Sequence, residues 1–304
     1  QTPEETLFIF DWDDTLCPST FIREDVRLQW NEEAPCFADR SIPLNGSPKT
    51  GGTGQAGDRA NEEPPLAETL RRHVEVAATV LRAAAACGTV AVVTLAKQGW
   101  IELSSKNFLP GLLEVLRELN VEMCYARCSF QRWKVRCALL DELDVFRLMK
   151  EASMLHCIKK LYSKRPDPDW KNIVSIGDSV TERDALVELT FSHLQSGPTR
   201  QQMVCRCKTV KLPEEPDLLQ LTSELEMLTE WIKPIALYDG DISLDISNPS
   251  ESIPTLKEVL NQGGQPAPGE HAPGRPGEGL QASPCDDSAA SDGSISGGGG
   301  PTER

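Results

Sequence analysis

Short runs of apolar residues, separated by longer stretches of helical length, are the feature that most limits how this chain can fold. Such runs occupy residues 7–10, 90–94, 121–125, 172–176 and 207–212. Runs of this kind are typical of strands that are buried on both faces of a sheet. Strands that alternate with helices form βαβ units with right-handed crossovers, and the strands of such units are parallel. We therefore predict an α/β fold, a Rossmann-like three-layer sandwich with a mainly parallel sheet.

The stretches between these runs have the periodicity of helices. Leu66, Leu70 and Val74, for example, recur at the spacing of one helix face. The pattern predicts helices over residues 66–86, 100–106, 111–119, 131–143, 146–163 and 218–232. After the last helix, Ile242, Leu244 and Ile246 alternate with polar residues, as in a short further strand.

Two segments have a composition that does not support a core. Residues 42–65 are rich in Gly and Pro, which predicts a flexible insertion. Residues 263–304 contain 11 of the 22 Gly and 6 of the 22 Pro, with Leu280 and Ile295 as their only large aliphatic residues. These segments lower the hydrophobic fraction to 39%, against roughly 45–50% in typical globular domains. We expect one domain over residues 1–250, including the insertion, and a disordered Gly/Pro-rich acidic tail over 251–304.

Charge and hydropathy limit the partners of this protein. The formal net charge of −15 predicts repulsion from phosphate backbones, so we expect no nucleic-acid partner. The longest apolar stretch, residues 83–96, is shorter than the ~20 residues that span a bilayer, so we expect no membrane partner. No charged apolar leader opens the chain, and ten scattered cysteines without a C-x-x-C pair indicate reduced thiols. We expect a soluble cytoplasmic protein, whose first residue, Gln1, leaves room for an upstream segment.

Polar side chains follow several of the predicted strands. Asp11 and Asp13 follow the first strand, Thr94 ends the second, and Asp178 follows the fourth. Lys134 lies near the start of the helix predicted after the third strand. In an open α/β sheet, ligands bind at the carboxyl ends of the strands. We therefore expect these side chains to meet at one edge of the sheet.

A group of carboxylates, a hydroxyl and a lysine indicates chemistry on a phosphoryl group. Clustered carboxylates are costly unless a cation neutralises them. Oxygen ligands without His or Cys favour magnesium over zinc. One Asp of such a group can act as a nucleophile through an aspartyl-phosphate, and the other as general acid and base.

The first of these motifs resembles a known family. Residues 11–15, Asp-Trp-Asp-Asp-Thr after an apolar strand, resemble the DxDxT first motif of the haloacid dehalogenase-like (HAD) hydrolase superfamily. Thr94, Lys134 and the segment 177–182 resemble its second, third and fourth motifs, so the similarity covers about residues 6–235. Asp13, which the dehalogenases lack, indicates the phosphatase and phosphotransferase members. Shorter segments also resemble uncharacterised HAD-like proteins of algae and protists.

The resemblance implies catalytic roles for four residues. It implies that Asp11 is the nucleophile and that Asp13 is the general acid and base. It also implies that Thr94 and Lys134 bind the phosphoryl oxygens, and that Lys134 offsets the charge of Asp11.

The resemblance also implies a magnesium site. The ligands that it implies are Asp11, the main-chain carbonyl of Asp13, and Asp178. Glu182 belongs to the outer shell of such a site, and the neighbouring hydroxyls of Thr15 and Ser179 support it.

For some of these assignments the sequence offers an alternative residue or an alternative role. Lys159 and Lys160 compete with Lys134, but they lie late in their helix, which carries them away from the strand ends. Arg127 and Arg132 either bind an anionic substrate or form a solvated basic face. Trp12 either lines the entrance of the site or packs in the core.

The spacing of the motifs bears on the substrate. Residues 16–89 and 95–133, where HAD enzymes usually carry a cap, leave no clear room for a folded one. The expected function is a phosphatase with an open site, acting on a phosphorylated substrate as bulky as a phosphoprotein. A small-metabolite substrate would need residues 17–65 to fold over the site. A phosphotransferase shares every motif, and a catalytically quiet interaction module is a further alternative.

Overall fold

The computed structural model describes residues 5–27, 66–129, 142–163, 171–196, 205–248, 256–259 and 261. These residues form one sheet of six strands, in which every pairing is parallel. The strands are β1 (Thr6–Phe10), β2 (Thr89–Thr94), β3 (Glu122–Tyr125), β4 (Asn172–Gly177), β5 (Arg206–Lys211) and β6 (Ile242–Asp245). The prediction of a Rossmann-like α/β fold with a mainly parallel sheet is confirmed.

Helices connect the strands. They are α1 (Leu66–Cys87), α2 (Trp100–Phe108), α3 (Leu112–Glu118), α4 (Ala126–Ser129), α5 (Glu142–Tyr162), α6 (Val180–Ser196) and α7 (Leu218–Leu237). A short π-helical turn, Phe21–Asp25, follows β1. The helix predicted from residue 146 begins four residues earlier, at Glu142. The predicted helix over 131–143 lies almost entirely outside the described residues.

The strand order places a crevice beside β1. The order is β3-β2-β1-β4-β5-β6, so the chain builds outward from β1 to β3 and then returns to the other side of β1. β1 and β4 are therefore neighbours whose connections leave in opposite directions. In doubly wound sheets, the carboxyl ends of two such strands form the ligand-binding crevice.

Helices cover both faces of the sheet. Phe8 and Phe10 of β1 are buried in one apolar cluster with side chains of α1, α2, α3 and α7. Leu7 and Ile9 alternate with them and are buried in a second cluster, with side chains of α5 and α6. Because successive side chains of a strand point to opposite faces, one continuous apolar run contributes to both clusters.

Packing against the sheet continues past the predicted end of the domain at residue 250. Residues 256–259 are helical, and the side chain of Val259 is fully buried in the same cluster as α7. The sequence 251–262 holds four large aliphatic residues, which the composition of the following segment obscures. The predicted insertion at 42–65 and residues 262–304 lie outside the described residues.

The helices are short or charged compared with membrane-spanning ones. Within the ranges that the structure describes, none combines the length and apolar character that crossing a bilayer requires.

Candidate functional site

Asp11 lies at the crevice between β1 and β4. The backbone N–H of Asp11 donates to the carbonyl of Ile176 at 2.8 Å, which extends the pairing of β1 with β4 by one residue. The Asp11 side chain is only 10% exposed. Asp178 directly follows β4, so the two carboxylates end neighbouring parallel strands at the same edge.

Three carboxylates meet at this edge. One oxygen from each of Asp11, Asp178 and Glu182 lies within 4.8 Å of the other two, a group that can hold a metal ion. Glu182 reaches the group from the first turn of α6. Gly177 permits this approach, because a Cβ at that position would lie 2.7 Å from Cγ of Glu182.

A buried lysine, Lys150 of α5, neutralises part of this charge. Its Nζ donates to Oδ1 of Asp11 at 2.5 Å and to the carbonyl of Val93 at 2.7 Å. The same ammonium lies 2.8 Å from Oε1 of Glu182, and the Lys150 side chain is 0% exposed. Lys150 thus occupies the position beside Asp11 that the sequence interpretation assigned to Lys134.

Lys134 lies outside the described residues. Its two rivals point elsewhere: Lys159 is exposed, and Lys160 pairs with Glu122 at 2.5 Å. The sequence does hold a signal for Lys150. It precedes Met154 and Cys157, which are buried, at the helical spacings of four and seven residues. A lysine within an apolar stripe of a helix must be paired, because an unpaired buried charge is costly.

The second aspartate of the first motif is held by two donors. Thr94 Oγ1 donates to Oδ2 of Asp13 at 3.0 Å. Trp100 Nε1, at the start of α2, donates to Oδ1 at 2.8 Å. The carboxylate of Asp13 is therefore held in one orientation, and the sequence interpretation had not included Trp100.

The third aspartate, Asp14, shapes the loop that follows β1. It adopts a left-handed backbone conformation with φ of 51°. Its carboxylate accepts hydrogen bonds from the Thr20 backbone N–H at 2.8 Å and from the Thr20 hydroxyl at 2.6 Å. Asn and Asp tolerate this conformation better than other non-glycine residues, partly because their side chains can bond nearby backbone groups. Asp14 thus turns the chain back toward the sheet and leaves Asp13 at the strand end.

Two other residues of the first motif have separate roles. The Trp12 side chain is fully buried in the core and its Nε1 donates to the Ser104 hydroxyl at 3.0 Å, so Trp12 packs and does not line an entrance. The Thr15 hydroxyl lies 3.5 Å from Oδ1 of Asp178.

The supporting serine contacts the acidic group directly. Ser179 Oγ donates to Oε2 of Glu182 at 2.6 Å and accepts from the backbone N–H of Thr181 at 3.0 Å. Both oxygens of Glu182 therefore have donors, one from Ser179 and one from Lys150.

Burial and charge shift the pKa values of this cluster in different directions. Burial raises the pKa of Asp11 well above its usual range. The positive charge of Lys150 opposes this rise, and the negative charges of Glu182 and Asp178 add to it. Burial, Glu182 and Asp14 raise the pKa of Asp178 to about 7. Burial also opposes the ionisation of Glu182, but Lys150 and Ser179 outweigh it and lower its pKa.

We expect Asp178→Asn to stabilise the fold when no divalent cation is present. An acid whose folded pKa is about 7 holds a proton that the unfolded chain, with a pKa near 3.9, has lost at neutral pH. Between pH 4 and 7 the carboxyl group ionises in the unfolded chain but not in the folded protein. The free energy of unfolding therefore falls as the pH rises through this range, by about 2–4 kcal/mol in all. In EDTA at pH 7, urea unfolding should show Asp178→Asn more stable than wild type by about this amount.

A divalent cation held by this group should reverse that order. A cation that binds only the folded state stabilises it by mass action, and the variant lacks one ligand. Unfolding midpoints with and without MgCl₂ measure the difference. A variant that gains as much stability from magnesium as the wild type would show that Asp178 holds no cation.

A cavity of about 320 Å³ lies against Asp13 and Asp14, and the described residues that line it do not include Asp11, Asp178 or Glu182. Asp13 and Trp100 line one part of it, and the hydroxyls of Ser19 and Thr20 line another. Arg23 and Lys97 also lie on its wall and can attract an anionic ligand.

The basic residues of the sequence prediction are only partly described. Arg127 Nε donates to the carbonyl of Leu95 at 2.5 Å, and its guanidinium lies 5.9 Å from the ring centroid of Phe146. These contacts hold Arg127 beside the loop that follows β2. Arg132 lies outside the described residues.

The structure thus places Asp11, Asp13, Thr94, Asp178 and Glu182 around one edge of the sheet. It adds Lys150 and Trp100, which donate to the two aspartates of the first motif. The chain matches no protein-family model, no curated protein and no solved structure.

Proposed function

We propose that this protein is a magnesium-dependent phosphatase of the HAD type, which hydrolyses phosphate monoesters through an aspartyl-phosphate on Asp11. The observation that carries the proposal is the contact of Lys150 with Asp11, within a buried group of three carboxylates at the strand ends. Such a group costs folding energy, because charges lose hydration on burial. A cost of this kind at a ligand-binding edge supports a functional role.

Asp11 is the nucleophile in this proposal. Lys150 binds Oδ1, which leaves Oδ2 to attack the phosphorus. The ammonium also offsets charge as the negative phosphoryl group approaches the negative carboxylate. Burial of Asp11 excludes water, which strengthens both effects.

Asp13 is the general acid and base. It donates a proton to the oxygen of the leaving alcohol, and it later accepts a proton from the water that hydrolyses the aspartyl-phosphate. Thr94 and Trp100 hold its two oxygens, so the carboxyl group keeps one orientation through both steps. Asp13 also lines the cavity, where a substrate has access to it.

The residues fit a magnesium ion. When all three carboxylates are ionised, they exceed the single ammonium of Lys150 by two negative charges, and every candidate ligand is an oxygen. Asp11 and Asp178 would hold the ion, Asp11 through the oxygen that does not attack the phosphorus. Glu182, whose two oxygens accept from Lys150 and Ser179, would lie in the outer shell. When bound, magnesium supplies positive charge to the phosphoryl oxygens.

An open site remains part of the proposal. The second interval between motifs, residues 95–133, contains α2 and α3, whose Ile101, Phe108 and Leu116 side chains are fully buried in the core. These helices pack in the core of the domain, so they do not form a separate cap domain. In the first interval, α1 is likewise a core helix, with Leu70 and Leu81 fully buried. A substrate carried on a protein surface is therefore the class that we favour.

The test is magnesium-dependent hydrolysis of 4-nitrophenyl phosphate, together with a panel of phosphopeptides and phosphorylated metabolites. Wild type should be active with MgCl₂ and inactive with EDTA. Asp11→Asn should lose activity by about 10²-fold or more, because the amide is a poor nucleophile of nearly the same shape. Asp184→Asn is the matched control, since Asp184 lies on α6 two residues after Glu182 but pairs with Arg183 at the surface.

Two outcomes would count against the proposal. One is equal activity of wild type and Asp11→Asn, and the other is a wild type that is inert across the whole panel. Transfer of the phosphoryl group to an added alcohol distinguishes a phosphotransferase from a phosphatase. In a phosphotransferase, excess glycerol would raise the release of nitrophenol above the release of inorganic phosphate.

A further inference from the structure

Two cysteines distant in sequence lie in contact on the α5 and α6 side of the sheet. Sγ of Cys124, in β3, is 2.8 Å from Sγ of Cys157, in α5. The two side chains are 7% and 4% exposed. Both belong to the apolar cluster under α5 and α6, and neither takes part in the proposed chemistry.

The surrounding structure holds these two thiols in register. Glu122, two residues before Cys124, lies on the same side of β3. It accepts a hydrogen bond of 2.5 Å from Lys160, which lies three residues after Cys157 on α5. A second contact between the same strand and helix therefore supports the first. The sulfur atoms must approach by only ~0.8 Å to reach the disulfide bond length of about 2.05 Å.

The two thiols differ in their readiness to react. The hydrogen bond shared with Cys157, aided by the charge of Lys160, lowers the pKa of Cys124 against the effects of burial and of the Glu122 charge. The same hydrogen bond, together with burial, raises the pKa of Cys157. The thiolate is the reactive form of cysteine, so the lowered pKa favours Cys124 as the attacking thiol of the pair.

We propose that Cys124 and Cys157 are an oxidation site, at which a peroxide converts the two thiols into a reversible disulfide between β3 and α5. The Cys124 thiolate attacks one oxygen of hydrogen peroxide, the O–O bond breaks, and the hydroxide released becomes water with a proton from solvent. Cys124 is then a sulfenic acid. The Cys157 sulfur attacks the Cys124 sulfur, and the hydroxyl group leaves as water with the Cys157 proton. Overall, the thiols lose two electrons and the peroxide becomes two water molecules.

The disulfide would restrain the helix that holds Lys150. Lys150 lies seven residues before Cys157 on α5, and both side chains are buried. Seven residues are two helical turns, so the two residues share one face of the helix. A bond that closes the chain between residues 124 and 157 also restricts the unfolded state, which stabilises the fold.

Peptide mapping of the oxidised full chain tests the proposal directly. After treatment with dilute hydrogen peroxide, the protein is denatured, alkylated, digested and analysed by mass spectrometry. The expected product is one cross-linked peptide pair that contains Cys124 and Cys157 and disappears after dithiothreitol. The exposed Cys128 is the internal reference for a thiol open to reagent. A digest in which Cys128 is oxidised while Cys124 and Cys157 are alkylated would overturn the proposal, as would a disulfide that joins either residue to another cysteine.

Thermal unfolding gives an independent readout. Oxidised wild type should unfold about 5 °C or more above the reduced protein, and dithiothreitol should remove the difference. Cys124→Ser and Cys157→Ser should show no such increase. Should either variant fail to fold, the comparison of oxidised and reduced wild type stands alone, and an unchanged midpoint there contradicts the proposal. The test needs no substrate, so it does not depend on the phosphatase assay.

Discussion

Replacing Lys150 with Met should destabilise the fold by about 3–5 kcal/mol at pH 8, because it leaves buried carboxylates without their counter-charge. Lys150 is fully buried and contacts both Asp11 and Glu182, so no water can take its place at low cost. Methionine has nearly the same length and flexibility, so the change removes the charge with little change in packing. Urea unfolding at constant ionic strength measures the loss.

The same variant should lose phosphatase activity by about 10³-fold, because the proposed reaction needs the ammonium beside Asp11. Lowering the pH to 5 should narrow the difference in stability, since carboxylates without a counter-charge take up protons more readily. Lys159→Met is the matched control, because Lys159 is on the same helix and exposed. We expect it to retain the stability and activity of wild type.

Lys134→Met decides between the sequence assignment and the structural one. If Lys150 is the phosphate-binding lysine, activity should survive in Lys134→Met and fall in Lys150→Met. The reverse pattern, with a stable and active Lys150→Met, would refute the role that we give to the contact with Asp11.

Acid should destabilise this protein through a buried histidine, His73. His73 of α1 is fully buried. Its Nε2 is 3.0 Å from the carbonyl of Leu16, and its Nδ1 is 3.0 Å from the hydroxyl of Thr222 on α7. Because a carbonyl only accepts, the neutral ring carries its proton on Nε2 and donates it to Leu16. Burial lowers the pKa of His73 from its usual 6.5 to about 4, against the opposing effect of that hydrogen bond.

The sign of the pH effect follows from this shift. Between pH 6.5 and 4, the unfolded chain binds a proton at this histidine and the folded protein does not. The stabilising contribution is thus complete above pH 6.5 and is lost as the pH falls toward 4. A shift of this size corresponds to about 3 kcal/mol.

His73→Gln should remove this part of the pH dependence. The difference in unfolding free energy between wild type and His73→Gln should therefore shrink by about 3 kcal/mol from pH 7 to pH 4. His156→Gln, at an exposed position on α5, is the control for a His-to-Gln change outside the core. A constant difference between wild type and His73→Gln across this range would show that His73 does not titrate on unfolding.

The strands were predictable because each depends on a local pattern. A strand buried on both faces needs an unbroken apolar run, and such runs are visible in the sequence without knowledge of their neighbours. Asp11 and Asp178 were assigned in the same way, since each follows such a run directly. The predicted boundary at residue 250 rests on composition alone, and Val259, which is buried in the core, lies beyond it.

Lys150 and Trp100 were not predicted because their roles depend on partners far away in the chain. Lys150 is 139 residues from Asp11, and Trp100 is 87 residues from Asp13. A lysine in a charged helix is usually solvated, and a tryptophan at a helix start usually packs. The sequence therefore favours solvation for Lys150 and packing for Trp100. Only the position of each helix against the strand ends shows their contacts with Asp11 and Asp13.

The sequence by itself determined the α/β class, the parallel sheet and the acidic strand ends, because local hydrophobic pattern and short motifs carry that information. The tertiary structure decided which lysine neutralises Asp11, that Trp12 packs in the core, and that Cys124 lies against Cys157. These three are contacts between elements. They depend on strand order and helix placement, which arise from packing of the whole chain and have no signature in any one segment.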